Sequence, residues 1–160
     1  MKNRYSDILK RLNEFGVRYI LVGGMAANIH GSTITTMDCE IVVSLDSKNL
    51  LKLAQALLVY SPIFRDKKPP QNFDENMAMR SGWKNIYLDT NAGILDCLGD
   101  IKGLGDFAEC DARSLEVDLG DFTIRVLTRE ALIAAKKAMG RPKDLLTVAQ
   151  LEIGGELEEG

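Results

Sequence analysis

The sequence predicts an α/β (α+β) fold: a mixed β-sheet with helices packed on it and a helical C-terminus. Three observations predict it. Amphipathic helical runs alternate with short β-branched runs over the first 60 residues, the pattern of strands covered by helices. Residues 85–97 and 115–127 each hold two strand-like runs broken by a turn signal, which adds antiparallel hairpins. The chain then closes on two helical runs after Leu127. One domain over 1–153 is the natural size, with an acidic, glycine-containing tail at 154–160 expected to fray.

The elements follow in order. Ile8, Leu9, Leu12 and Phe15 are spaced for a helix over 5–15, with Ser6 as its expected cap and Gly16 as its stop. Val17 to Val22 reads as a buried strand. Gly23-Gly24 is a turn, Met25 to His30 a short helix, and Gly31 suits a left-handed C-terminal position. Asp38 to Ser44 is the next strand, and SKNLLKLAQALLVY an amphipathic helix capped by Ser47. Pro69-Pro70 makes 66–76 a loop. Met77–Arg80, Asn85–Asp89 and Gly93–Cys97 read as strands, the last two joined by Thr90-Asn91-Ala92. Gly120-Asp121 joins strands 115–119 and 123–127. Thr128 opens a helix that Gly140 ends, and Asp144–Ile153 is a final helix beyond Pro142; these two helices are compatible with a small appendage.

Composition narrows the function. Apolar residues make up 46% and charged ones 27%, ordinary for a globular protein, and no apolar run is long enough to span a bilayer. MKNRYSDILKRLNEFG has no apolar signal core, so the expected location is the cytoplasm, with no membrane partner. Cys39, Cys97 and Cys110 lack C-x-x-C spacing, which disfavours a disulfide framework or a zinc site and predicts buried thiols. A net charge of −3 disfavours a broad nucleic-acid footprint, although REALIAAKKAMGRPK forms a local basic stretch.

The chemistry points to carboxylates. Alternation along a strand puts Asp38 and Glu40 on one face and Cys39, Ile41 and Val43 on the other. Two neighbouring carboxylates repel, and a cation between them removes that cost. Asp96, in GILDCLGD, is an acid inside an apolar strand, which is costly unless paired or metal-bound. If its strand lies beside that of Asp38, three carboxylates converge. Gly23-Gly24 leading into a helix is either a plain tight turn or a place where backbone N–H groups meet an anion. Lys136, Lys137, Arg141 and Lys143 are a solvated face or an anion-binding one. His30 is read as a C-terminal helix residue, not a catalyst; Trp83 and Tyr87 are packing residues or, less commonly for a lone aromatic beside Gly82, a surface that stacks a base.

Val22-Gly23-Gly24, thirteen intervening residues and Asp38-Cys39-Glu40-Ile41 resemble the signature of the polymerase β-like nucleotidyltransferase superfamily, with Asp96 at its third carboxylate. Gly23-Gly24, Ala26, His30-Gly31, Thr36 and Asp38, then Lys136, Arg141 and Lys143-Asp144, are similar to small bacterial and archaeal members related to the AbiEii toxin. The resemblance runs from about Tyr19 to Leu151. Ile34 departs from the arginine usual in that group, Glu40 from aspartate, and Thr147 from a second acid.

The resemblance implies a nucleotidyltransferase-like sheet and transfer of a nucleoside monophosphate from a nucleoside triphosphate to an acceptor hydroxyl. It implies Asp38, Glu40 and Asp96 as catalytic residues and ligands of Mg²⁺ (or Mn²⁺), and Gly23, Gly24, Lys136 and Arg141 as nucleotide-binding. The acceptor is left open among an RNA end, a protein and a small molecule. A toxin–antitoxin role would bring an antitoxin partner, and the short chain leaves room for a homodimer. The alternative is a degenerate member that binds nucleotide or a partner without catalysis. A purely structural partner docking through the 48–60 helix has only a generic amphipathic pattern behind it.

Overall fold

The computed structural model describes residues 4–159. Seven strands form one mixed sheet, in the order β3-β4-β5-β2-β1-β9-β8. In chain order these are β1 (Tyr19–Val22), β2 (Asp38–Val43), β3 (Ile63–Phe64), β4 (Asn85–Thr90), β5 (Gly93–Leu98), β8 (Ser114–Asp118) and β9 (Thr123–Leu127). The short β6 (Asp100–Ile101) and β7 (Gly105–Asp106) pair separately. The helices are α1 (Tyr5–Glu14), α2 (Gly23–Ile29), α3 (Ser47–Leu57), α4 (Glu75–Ala78), α5 (Phe107–Asp111), α6 (Arg129–Met139) and α7 (Pro142–Glu159).

The central pairings decide which side chains share a face. β2 runs parallel to β5, with Glu40 opposite Asp96 and Ile41 opposite Cys97. β1 is antiparallel to β2, with Leu21 opposite Ile41 and Val22 opposite Glu40. Side chains paired across a ladder point the same way. One face therefore carries Tyr19, Leu21, Cys39, Ile41, Val43, Leu95 and Cys97, all buried. It packs towards α1, where the Tyr19 hydroxyl donates to Leu9 O at 3.2 Å. The other face carries Asp38, Glu40 and Asp96. The expected convergence of the acid-bearing strands is thus observed.

Several expected boundaries shift for local reasons. Ser6 lies inside α1, whose N-cap is Arg4 without a side-chain hydrogen bond. Asp46, not Ser47, caps α3, its carboxylate accepting from Asn49 N–H at 2.9 Å. Met77–Arg80 is not a strand: Asp74 accepts from Met77 N–H at 2.9 Å and opens the helical turn α4. That cap satisfies the backbone locally and offers no edge for pairing. β3 and α5 are too short to leave a periodic signal. The final helix runs from Pro142 to Glu159, well past Ile153. It crosses Gly154 and Gly155, against which Arg129 packs. α7 packs along α6, and α6 touches α2. All three cysteines are buried and free, as composition predicts.

Candidate active site

The site lies where β1 ends and α2 begins, on the acid-bearing face. Gly23 adopts φ +69°, a left-handed value that favours glycine. A Cβ there would stand 2.1 Å from Glu40 Oε2, so the carboxylate lies directly against the bare backbone. Gly24 is covered in the same way by Thr36, whose Cβ would be 2.8 Å from an added methyl. Glycine is thus needed at both positions for close approach, and the approaching groups come from the chain itself. The first turn of α2 has no side-chain cap.

Two cavities meet at Glu40, Lys136 and Arg141, which line both. One, of about 320 Å³, is polar and includes Thr36, Asp38 and Lys143. The other, of about 360 Å³, holds Asp96 and Tyr87 against the apolar Leu98, Leu132 and Met139. A larger hollow of about 410 Å³, around Asn13, Arg18 and Arg125, contains none of the three acids.

The three carboxylates share a face but not a setting. Asp38 and Glu40 have no side-chain hydrogen bond or ion pair among the described residues. Burial pushes the Glu40 carboxyl above its ordinary value; Lys136 opposes this, and Asp96 and Asp38 add to it. Asp96 is buried and paired with Arg65, whose Nη1 donates to Asp96 Oδ1. No set of three or more His, Cys, Asp or Glu side chains close enough to hold a metal ion occurs among the described residues. The expected triple of Asp38, Glu40 and Asp96 is brought to one face without forming such a set, and Asp96 there is paired with Arg65.

The basic residues are organised by Asp144, which is fully buried. Its carboxylate accepts from Arg141 Nε at 2.6 Å and Nη2 at 3.1 Å, from Arg141 N–H at 3.2 Å, and from Lys136 Nζ at 3.5 Å. The Arg141 hydrogen bond holds the Asp144 carboxyl below its ordinary value against the opposing effect of burial. Lys136 and Arg141 are therefore fixed as the shared wall of the two cavities. His30 Nε2 donates to Leu127 O at 2.8 Å, tying the end of α2 to the end of β9. Gln150 of α7 accepts from Ser32 Oγ and Thr33 N–H, both at 2.9 Å, and so pins the loop that leads to Asp38.

Sequence reasoning missed Arg65 altogether and gave Asp144 no role of its own. Arg65 is 31 positions from Asp96, with no local spacing to connect them. A buried acid three residues after Arg141 was visible as a spacing, but its burial was not.

A mixed sheet with paired acids on its second strand, beside a glycine-led helix, is the arrangement the sequence resemblance implies. The chain has the nucleotidyltransferase fold, as solved structures show. A crystal structure of an inferred nucleotidyltransferase of Thermotoga maritima matches with a TM-score of 0.59 at 16% identity, over 98% of this chain and 91% of that one. ANT(2″)-Ia, solved in complex with adenylyl-2″-tobramycin, matches with a TM-score of 0.60 at 15% identity, over 97% and 90%. No family model and no curated protein matches the chain. Among the described residues no helix is long and apolar enough to cross a membrane.

Proposed function

We propose that the protein is a metal-dependent nucleotidyltransferase that moves a nucleoside monophosphate from a nucleoside triphosphate to an acceptor hydroxyl. One observation carries the reading. Asp38 and Glu40 are neighbouring carboxylates whose side chains have no hydrogen bond or ion pair among the described residues, lining one polar cavity with Lys136, Arg141 and Lys143. Burial and acidic neighbours disfavour the charged form of Glu40. A divalent cation relieves that cost, and Mg²⁺ suits one or two carboxylates plus phosphate oxygens. The residues present therefore fit Mg²⁺ or Mn²⁺, held by Asp38 and Glu40. When bound, the ion supplies positive charge to the phosphate oxygens in the transition state.

The chain's own groups do the rest. Lys136 and Arg141, held by Asp144, offset triphosphate charge from the shared wall. Gly23 and Gly24 let Glu40 and Thr36 pack against the bare backbone at the start of α2, which sets Glu40 at the rim shared by the two cavities. Asp96 receives the proton of the acceptor hydroxyl in the second cavity, whose apolar wall of Leu98, Leu132 and Met139 limits water there. The likeness of residues 23–38 and 136–144 to the AbiEii-related group supports a toxin–antitoxin role, with an antitoxin or a second copy as partner. Buried free thiols accord with a cytoplasmic setting.

The Arg65–Asp96 pair, together with Ile34, favours a second reading: a nucleotide-binding member that no longer transfers. The test is a transfer assay with Mg²⁺, each α-labelled nucleoside triphosphate, and cellular RNA and protein as acceptors. Transfer by the parent and at least 100-fold less by Asp38→Asn is expected from the loss of one metal ligand, about 3 kcal/mol of barrier. Nucleotide binding without transfer selects the second reading.

A further inference from the structure

We propose that Arg65 is the positioning residue for Asp96, and that it stands where a second metal ion would otherwise be needed. The chain then holds one divalent ion through Asp38 and Glu40, and Asp96 stays out of the coordination shell. This role rests on the transfer reading above.

Both ends of Arg65 are fixed. It follows β3 at the sheet edge, and its backbone N–H donates to Tyr87 O at 3.0 Å, lacing it to β4. The side chain crosses β4 to reach Asp96 on β5. Nη1 also donates to Leu88 O at 3.0 Å, and the guanidinium carbon lies 5.7 Å from the centre of the Tyr87 ring. A guanidinium held by two acceptors and a ring face is a fixed cation that does not lose its proton.

The counter-charge explains how an acid survives inside an apolar strand. Asp96 is 8% exposed, between Leu95 and Cys97, both fully buried. An unpaired carboxylate there is costly, and a divalent ion or an arginine removes the cost. Here the arginine does so. Asp38 and Glu40, by contrast, have no such partner among the described residues. With Oδ1 engaged by Arg65, Asp96 Oδ2 has no hydrogen-bond partner among the described residues and belongs to a residue lining the 360 Å³ cavity. In the transfer step the acceptor O–H bond breaks and its proton goes to Oδ2. The acceptor oxygen bonds to the α-phosphorus. The bond from the α-phosphorus to the bridging oxygen breaks, and pyrophosphate leaves with that electron pair.

The experiment counts Mn²⁺ bound to the intact chain by electron paramagnetic resonance, with Mn²⁺ alone as the probe, and checks folding of each variant by thermal melting. The parent is expected to bind one ion. Asp38→Asn is expected to weaken binding at least tenfold, and Asp96→Asn by no more than about threefold, the size of a screened charge effect. Arg65→Gln, by freeing Asp96, is expected to tighten Mn²⁺ binding or add a second ion, while Arg65→Lys keeps the parental count. Two ions on the parent, or a tenfold loss in Asp96→Asn, makes Asp96 a ligand and overturns the role of Arg65 while leaving the transfer reading intact. Failure of the parent to bind Mn²⁺ overturns both.

Discussion

Replacing Gly23 with alanine isolates the closest approach in the site. Two costs add. Alanine at φ +69° carries the left-handed penalty of about 1–2 kcal/mol. Its methyl would also stand 2.1 Å from Glu40 Oε2 and 2.8 Å from Glu40 Cδ, contacts that real Cβ atoms do not make. Overpacking of this kind costs about 1–3 kcal/mol when the neighbour gives way. Glu40 is one flexible side chain, so the lower half of that range applies, and the total is about 2–4 kcal/mol. For a chain of this length that is a fall in melting temperature of roughly 5–15 °C. Urea denaturation in metal-free buffer measures it, in the parent, in Gly23→Ala, in Glu40→Ala and in the double variant. The carboxylate clash vanishes in the Glu40→Ala background, leaving the backbone share and a milder 3.1 Å contact with the Cβ of residue 40, so the cycle should show a coupling of about 1 kcal/mol. A Gly23→Ala cost below about 0.5 kcal/mol, or one that is the same in both backgrounds, would refute the reasoning.

Two further predictions concern protons. The Asp144 carboxyl is held low, so its stabilisation is complete above the ordinary value of 3.8 and is lost as pH falls through its folded value. Asp144→Asn should cost about 1.5–3 kcal/mol near neutrality, the range for hydrogen bonds to charged groups, and flatten the acid limb of the stability–pH curve; an unchanged acid limb would count against the pairing with Arg141. Glu40 is shifted the other way, so without metal the fold loses stability as pH rises from 4.5 through its raised folded value. Glu40→Gln should therefore be more stable than the parent above that window in chelator-treated buffer, and a parent that gains on the variant as pH rises would contradict the burial argument.

Much of the site was legible because it is local. The run from Tyr19 to Glu40 is a strand, a short helix, a loop and the start of a second strand. Alternation along β2 placed Asp38 and Glu40 together before any partner strand was known. The Thr128 cap and the Gly140 stop of α6 were readable for the same reason, since a cap depends on residues within one turn: Thr128 accepts from Ala131 N–H at 3.1 Å, and Gly140 takes φ +68°. Where local rules failed, a nearby competitor won. Asp46 lies one residue before Ser47 and took the cap, and Asp74 turned Met77 into a helix instead of a strand.

The sequence by itself determined the sheet-and-helix class, the buried thiols and the pairing of two acids on one face, because these follow from periodicities of two and 3.6 residues. Tertiary structure alone decided what each charge meets. It set β5 beside β2 so that Asp96 faces Glu40, brought Arg65 across β4 to claim Asp96, and buried Asp144 to fix Lys136 and Arg141 at the wall of two cavities. The reason is distance along the chain: strand order and side-chain reach join residues tens of positions apart, and no local pattern encodes which cation an isolated carboxylate will find.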